Sequence, residues 1–152
     1  MLEAERFREL MASWASGVTI VACRDERRVV ATTVSAFLSL SLHPPQILVA
    51  LAPNATVRPF LSVGVSFGVS ILAGDQRRLA SVFADPYPVG PEPFPADGVP
   101  LVMDALIGLE CTVSGTSEAA DTLVVIAAVQ SARQREAPPL IRYRRAYHVL
   151  DP

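Results

Sequence analysis

Between residues 29 and 57 the chain carries no Asp, Glu, Lys or Arg. Inside that stretch, ATTVSAFLSLSLHPPQILVAL over 31–51 places Thr33, Ser35, Phe37, Ser39 and Ser41 at odd positions and Val34, Ala36, Leu38, Leu40 and Leu42 at even ones. Successive side chains of a β-strand point to opposite faces, so a period of two predicts a strand with one aliphatic face on a core and one hydroxyl face elsewhere. Solvent-facing strand rows ordinarily include Lys, Glu or Arg. A row of alcohols without any charge predicts a sheltered face.

His43-Pro44-Pro45 interrupts the strand, because proline donates no ladder hydrogen bond and restricts the residue before it. QILVAL at 46–51 then reads as a strand apolar on both faces. Upstream, Phe7, Leu10, Met11 and Trp14 recur at i, i+3, i+4, i+7, which predicts a helix with one buried face, ended by Gly17. A strand over 18–23 and the charged turn RDERR make a hairpin with the uncharged strand. Downstream, Asn54 or Thr56 is placed to cap a short helix containing Pro59 and closed by Gly64. VSFGVSIL is a further strand, and Asp75 caps another short helix with Leu79, Val82 and Phe83 inward. Pro86, Pro88, Pro91, Pro93, Pro95 and Pro100 leave an irregular loop over 85–100, either a lid or plain surface. Strands follow at about 105–114, 122–132 and 140–150. Six or seven strands, three short α-helices and no βαβ alternation predict a mainly β, antiparallel barrel in a single domain over 1–152.

Several function classes drop out. The net charge of −2, with 13 cations that are all arginine and scattered along the chain, leaves no basic footprint for nucleic acid. No run is long and apolar enough to span a membrane, and the mixed, charged start does not read as a secretory signal. Cys23 and Cys111 lie in apolar strand settings and read as buried free thiols of a cytoplasmic protein. Two histidines and two cysteines without ligand spacing make no metal site, and there is no Gly-x-Gly-x-x-Gly, Walker loop or Gly-x-Ser-x-Gly.

A sheltered row of hydroxyls and backbone groups beside aliphatic side chains suits a flat, uncharged heterocycle such as a flavin ring. The backbone around Thr33 to Ala36 would read the pyrimidine edge, and Ser39 and Ser41 the ribityl chain. The other reading is that these alcohols fill a barrel interior and bond their own backbone. Asn54-Ala55-Thr56 with Arg58, at an expected helix start, offers free N–H groups, the positive end of a helix dipole and a guanidinium, a combination receptive to phosphate. Simple helix capping is the plainer account of the same residues.

With these segments in order, the chain resembles the flavin reductase-like, FMN-binding split-barrel family, the small reductase components of two-component flavin monooxygenases. The resemblance runs from about residue 7 to residue 147. FRELMASWASGVTIVAC is similar to the family's opening helix and strand, the segment at 31–51 to its flavin strand, and FGVSILAGDQRRLASVFA to the strand and helix after its phosphate turn. The resemblance implies a split β-barrel with flavin contacts from Thr33, Val34, Ser35, Ala36, Ser39 and Ser41, and phosphate contacts from Asn54, Ala55, Thr56 and Arg58. It implies FMN or FAD, NAD(P)H as co-substrate, a homodimer, and a monooxygenase partner reached by diffusing reduced flavin.

Three departures stand out. Ala55 and Val57 occupy positions where the family usually has Ser and Thr. Thr122, after Ala120-Asp121, stands where the family has a His near the nicotinamide, and Ala128 where it has a Glu. The C-terminal signature survives as RYRRAY, with Tyr143, Arg144 and Tyr147. Hydride transfer needs two rings in contact more than it needs an acid or base, so reductase activity remains the expectation. The alternatives are a flavin- or small-ligand-binding barrel without reductase activity, and a structural dimer with an empty barrel.

Overall fold

The computed structural model describes residues 1–151. Its chain runs α1 (Ala4–Met11), β1 (Ser16–Gly17), β2 (Thr19–Asp25), β3 (Arg28–Val34), β4 (Phe37–Leu42), β5 (Pro45–Leu51), β6 (Ser66–Ile71), α2 (Arg77–Ala84), β7 (Ile107–Ala119), β8 (Thr122–Gln134), β9 (Leu140–Tyr143) and β10 (Ala146–Val149). One antiparallel sheet of seven strands has the order β3-β2-β6-β7-β8-β5-β4, and a small sheet has the order β1-β9-β10.

The strand order forces a curl. β3 and β4 are the two edges of the large sheet, yet only Ser35 and Ala36 separate them in the chain. Two residues span roughly 7 Å, whereas seven flat strands at about 4.8 Å spacing would hold the edges nearly 30 Å apart. The sheet therefore coils, so that β3 and β4 share a corner at Ser35–Ala36. No ladder joins the two edges; the Ala50 N–H, donating to Ala36 O at 2.9 Å, carries the β4–β5 pairing up to that corner.

Burial follows from that coil. The interior is filled from alternate strand positions such as Val21, Val49, Phe67, Val69 and Val125, each fully buried. The opposite face of β2, through Ile20 and Ala22, packs with Ala80 and Phe83 of α2 and with Phe94, Val102 and Leu140. β2 is thus buried on both faces, which explains why its sequence is apolar without alternation.

Several expectations change. Two α-helices form rather than three, because the segment around Asn54 makes only a single 3-10 turn, Arg58–Phe60. Pro59 has no N–H to extend a ladder, and Gly64 lies beyond, in a loop with φ of 90°. α1 ends at Met11 rather than near Gly17, and its apolar face is not buried: Phe7 is 54% exposed and Trp14 77%. The uncharged strand breaks at Ser35–Ala36 into β3 and β4, and β4 is turned opposite to expectation. Phe37 pairs with buried Val49 and Ser39 with buried Ile47, so the odd residues share the core-side face. Leu38, Leu40 and Leu42 point outward and are exposed. The stretch 140–150 is a hairpin, not one strand, turning at Arg144 and Arg145. Asp75 does not cap α2; the Gln76 side-chain oxygen accepts from the Ala73 N–H at 3.0 Å, and Asp75 pairs with Arg135 at 2.9 Å. No helix among the described residues is long and apolar enough to cross a membrane.

Candidate functional site

Two cavities open on either side of Ser35 and Ala36. The smaller, about 350 Å³, lies between the end of β3, the turn after β5 and the C-terminal end of α2. Thr33, Val34, Ser35 and Ala36 line one wall, and Asn54, Ala55 and Thr56 the facing one. The threonine hydroxyls are spoken for. Thr56 Oγ1 lies 2.6 Å from Thr32 Oγ1 and donates to Ala31 O at 3.0 Å, while the Thr56 N–H donates to Thr32 Oγ1 at 3.1 Å. Thr33 Oγ1 donates to Ala80 O at 2.7 Å, which ties the strand to α2.

What remains for a ligand is main chain, together with the Ser35 hydroxyl and the Asn54 side-chain amide that line the cavity. Among the described residues the N–H groups of Ser35, Ala36 and Asn54 make no hydrogen bond. Ser35 and Ala36 are the irregular pair where the ladder lapses, and Asn54 sits in a turn closed by the Ala55 N–H to Ala52 O at 3.1 Å. Unpaired donors facing one space suit acceptor atoms on a ring edge or a phosphate. Leu51 and Phe83 supply apolar walls. A flavin matches this donor set, because its pyrimidine carbonyls and ring nitrogens accept hydrogen bonds while its ring faces are apolar.

The remaining expected residues lie elsewhere. Ser39 is exposed on β4, Ser41 is half-buried, and neither lines this cavity. Arg58 is turned away from it: its guanidinium donates to Asp121 O at 2.6 Å and Leu51 O at 3.3 Å, strapping the end of β5 to the β7–β8 turn. Thr122 is at that same turn, its hydroxyl 3.2 Å from the Asp121 carboxylate, and lines neither cavity. Ala128 pairs with Gln46 in the ladder, also outside both.

Sequence reasoning did not foresee the third wall, made by Phe83, Ala84, Asp85 and Pro86. Pro86, directly after a helix, was the available signal. The loop 85–100 that starts there is fastened down. Arg24 donates to Gly98 O at 2.7 Å and Pro95 O at 2.6 Å, and Phe94 packs on Phe83 with ring centroids 5.5 Å apart. A Cβ on Gly68 would collide with the Pro100 carbonyl, so glycine there lets the loop's end lie against β6.

The larger cavity, about 780 Å³, is of different material. Met11 and Trp14 face Phe37, Leu38 and Leu48 across it, and Arg8, Arg142, Arg144 and Arg145 complete its rim. Arginines scattered in sequence converge here because the β9–β10 turn docks beside α1, through the Arg144 N–H to Ala12 O at 2.8 Å. Both cysteines are buried free thiols. Burial, with a smaller push from Asp25, raises the Cys23 thiol to about 11, and burial with Glu110 raises Cys111 to about 12. Neither supplies a thiolate nucleophile at neutral pH.

Comparison with known proteins adds an independent line. A family profile for the flavin reductase like domain matches residues 11–151. An NADH-dependent flavin reductase of Rhodococcus sp is 34% identical over 95% of this chain and 85% of its own length. The reductase component of 4-hydroxyphenylacetate 3-monooxygenase from Thermus thermophilus is 33% identical over 96% of each chain. The solved structure of the flavin reductase PheA2 superposes with a TM-score of 0.88 at 29% identity, covering 99% of this chain and 100% of that one.

Proposed function

The chain belongs to the flavin reductase-like domain family, and from that membership we infer that it is an NAD(P)H-dependent flavin reductase supplying reduced FMN or FAD to a partner monooxygenase. The observation that carries this reading is the smaller cavity, with free N–H groups of Ser35 and Ala36 on one wall and of Asn54 on the other. Its size falls within the roughly 300–1,000 Å³ of small-molecule sites.

The chain's own residues divide the work as follows. The backbone from Thr33 to Ala36 holds the flavin's pyrimidine edge, and Leu51 and Phe83 cover its apolar faces. The turn at Asn54, Ala55 and Thr56 takes the phosphate through the Asn54 N–H, without a helix dipole, since the Ala55 and Thr56 N–H groups are already bonded to Ala52 O and Thr32 Oγ1. Thr32 and Thr56 lock the two walls at a fixed separation, and Arg58 acts at one remove by holding the end of β5. Bound flavin supplies the hydride acceptor. The chain's task is then to bring two rings together and exclude water, which no acid or base is needed to do. The Thr122 and Ala128 departures take nothing from these walls.

The near-closed coil of the large sheet supports a split β-barrel in one domain over 1–152. Exposed apolar side chains on α1, Phe7 and Leu10, just after it, Trp14, and on β4, Leu38 and Leu42, support a homodimer in which a second copy covers them. Two free buried thiols support a reducing, cytoplasmic setting. The test is anaerobic mixing of the protein with FMN or FAD and with NADH or NADPH. Loss of reduced-nicotinamide absorbance together with bleaching of the flavin is expected; no rate above background in any combination overturns the reading.

A further inference from the structure

The end of the smaller cavity that would receive a phosphate is poorly equipped for one. Among the described residues lining that cavity there is no Arg or His, and the one charged side chain is Asp85. We propose that Asp85 makes the site discriminate against a terminal phosphate monoester, so that FAD rather than FMN is the flavin this chain reduces. The proposal rests on the flavin reductase reading above and names the flavin of that same site.

Three observations carry it. First, the packing of α2 sets Asp85 at the phosphate end. The helix crosses β3 at Thr33, whose hydroxyl donates to Ala80 O at 2.7 Å, and its last turn, through Val82 and Phe83, meets Val29 around a cleft of about 110 Å³. Its end therefore lies toward Ala31 and Thr32, the part of β3 to which Thr56 is bonded, and away from Ser35 and Ala36. Second, the charge there is negative and uncompensated. Ala84 and Asp85 line the cavity where the carbonyl end of α2 adds its own partial negative charge. Asp85 Oδ1 accepts from the Tyr87 N–H at 2.8 Å, and among the described residues no cation pairs with this carboxylate. On the facing wall only the Asn54 N–H and amide are free, because Arg58 donates to Leu51 O and Asp121 O and lies 4.0 Å from Glu118. A phosphate monoester carries about two negative charges at neutral pH, whereas the same phosphate in FAD is a diester with a single one. Third, this end is not closed off: Ala52, Asn54, Asp85 and Pro86 are all exposed, which leaves the adenylate half of FAD a way out to solvent.

Riboflavin, FMN and FAD share a ring and differ at the phosphate, so calorimetric titration with all three isolates that end. At low salt the wild-type protein should bind FMN most weakly, about threefold to fivefold below riboflavin, the size of a repulsion at a solvent-exposed carboxylate. Added NaCl should narrow that deficit, because screening relieves repulsion; a site that attracts phosphate loses FMN affinity with salt instead. Asp85→Asn removes the charge and keeps an oxygen to accept from the Tyr87 N–H. In that variant the ratio of FMN to riboflavin affinity should rise about threefold and lose most of its salt dependence, and the advantage of FAD over FMN in kcat/KM with NADH should shrink in step. FMN bound more tightly than riboflavin, FMN affinity that falls as salt is added, a higher kcat/KM for FMN than for FAD, or an unchanged ratio in Asp85→Asn each overturns the proposal. Those outcomes leave the reductase reading standing. A protein that binds and reduces none of the three flavins sinks that reading itself.

Discussion

The two cavities meet at one dipeptide and are built in opposite ways. The smaller is walled chiefly by 32–36 and 50–56, which lie close in sequence, with its three threonine hydroxyls bonded within the protein and main-chain donors, the Ser35 hydroxyl and the Asn54 amide left over. The larger draws on both ends of the chain, and its polar groups are long, charged and half-buried to exposed. A slot of short side chains tied by hydrogen bonds differs from a rim of long arginine side chains, two of them resting on tyrosine rings.

Substitutions should separate the two walls. The largest effect is expected from Phe83→Ala, which removes a buried side chain that both walls the smaller cavity and anchors the loop through Phe94. A loss of about 3–4 kcal/mol by chemical denaturation, with weakened flavin binding, is predicted. If flavin affinity held while stability fell, Phe83 would serve the loop and not the cavity wall. Arg58→Ala comes next, at roughly 1.5–3 kcal/mol, because two carbonyls, Leu51 O and Asp121 O, lose a charged donor. Its flavin affinity should fall equally for FMN and riboflavin. A selective loss of FMN would place the guanidinium on the phosphate after all.

Smaller effects serve as controls. The hydrogen bond from Arg135 holds the Asp75 carboxyl below its usual range, at a site remote from both cavities. A carboxyl depressed in the folded state stabilises above its unfolded value, and that contribution disappears as pH falls through the folded one. Asp75→Asn should therefore lower the thermal midpoint slightly at neutral pH, by less than Arg58→Ala, with the difference closing in acid. A gap that persisted in acid would mean the ion pair is not its cause. Ser39→Leu, at an exposed position outside the cavity, is predicted to shift stability by no more than about 0.5 kcal/mol and to leave flavin affinity alone. A clear affinity loss in titration would return Ser39 to the ribityl path.

The uncharged alternation over 29–57, the proline breaks and the order of segments were enough to read a mainly β, antiparallel chain, its family, and the two stretches, 33–36 and 54–56, that face each other across a cavity. Those properties are local and periodic, so they survive without knowledge of the partner across the sheet. Which face of β4 turns inward, whether the α1 stripe is covered, and where Arg58 points were not legible, because each depends on what lies opposite. The convergence of Arg8 with Arg142, Arg144 and Arg145 was hidden for the same reason: sequence separation says nothing about proximity until the sheet has coiled. Sequence determined the materials and the mainly β, antiparallel class through side-chain alternation and backbone restriction, but not the number of strands, ten against the six or seven expected. Tertiary structure decided which groups meet, because coiling a seven-strand sheet whose edge strands are joined by a two-residue link is what brings groups distant in sequence together.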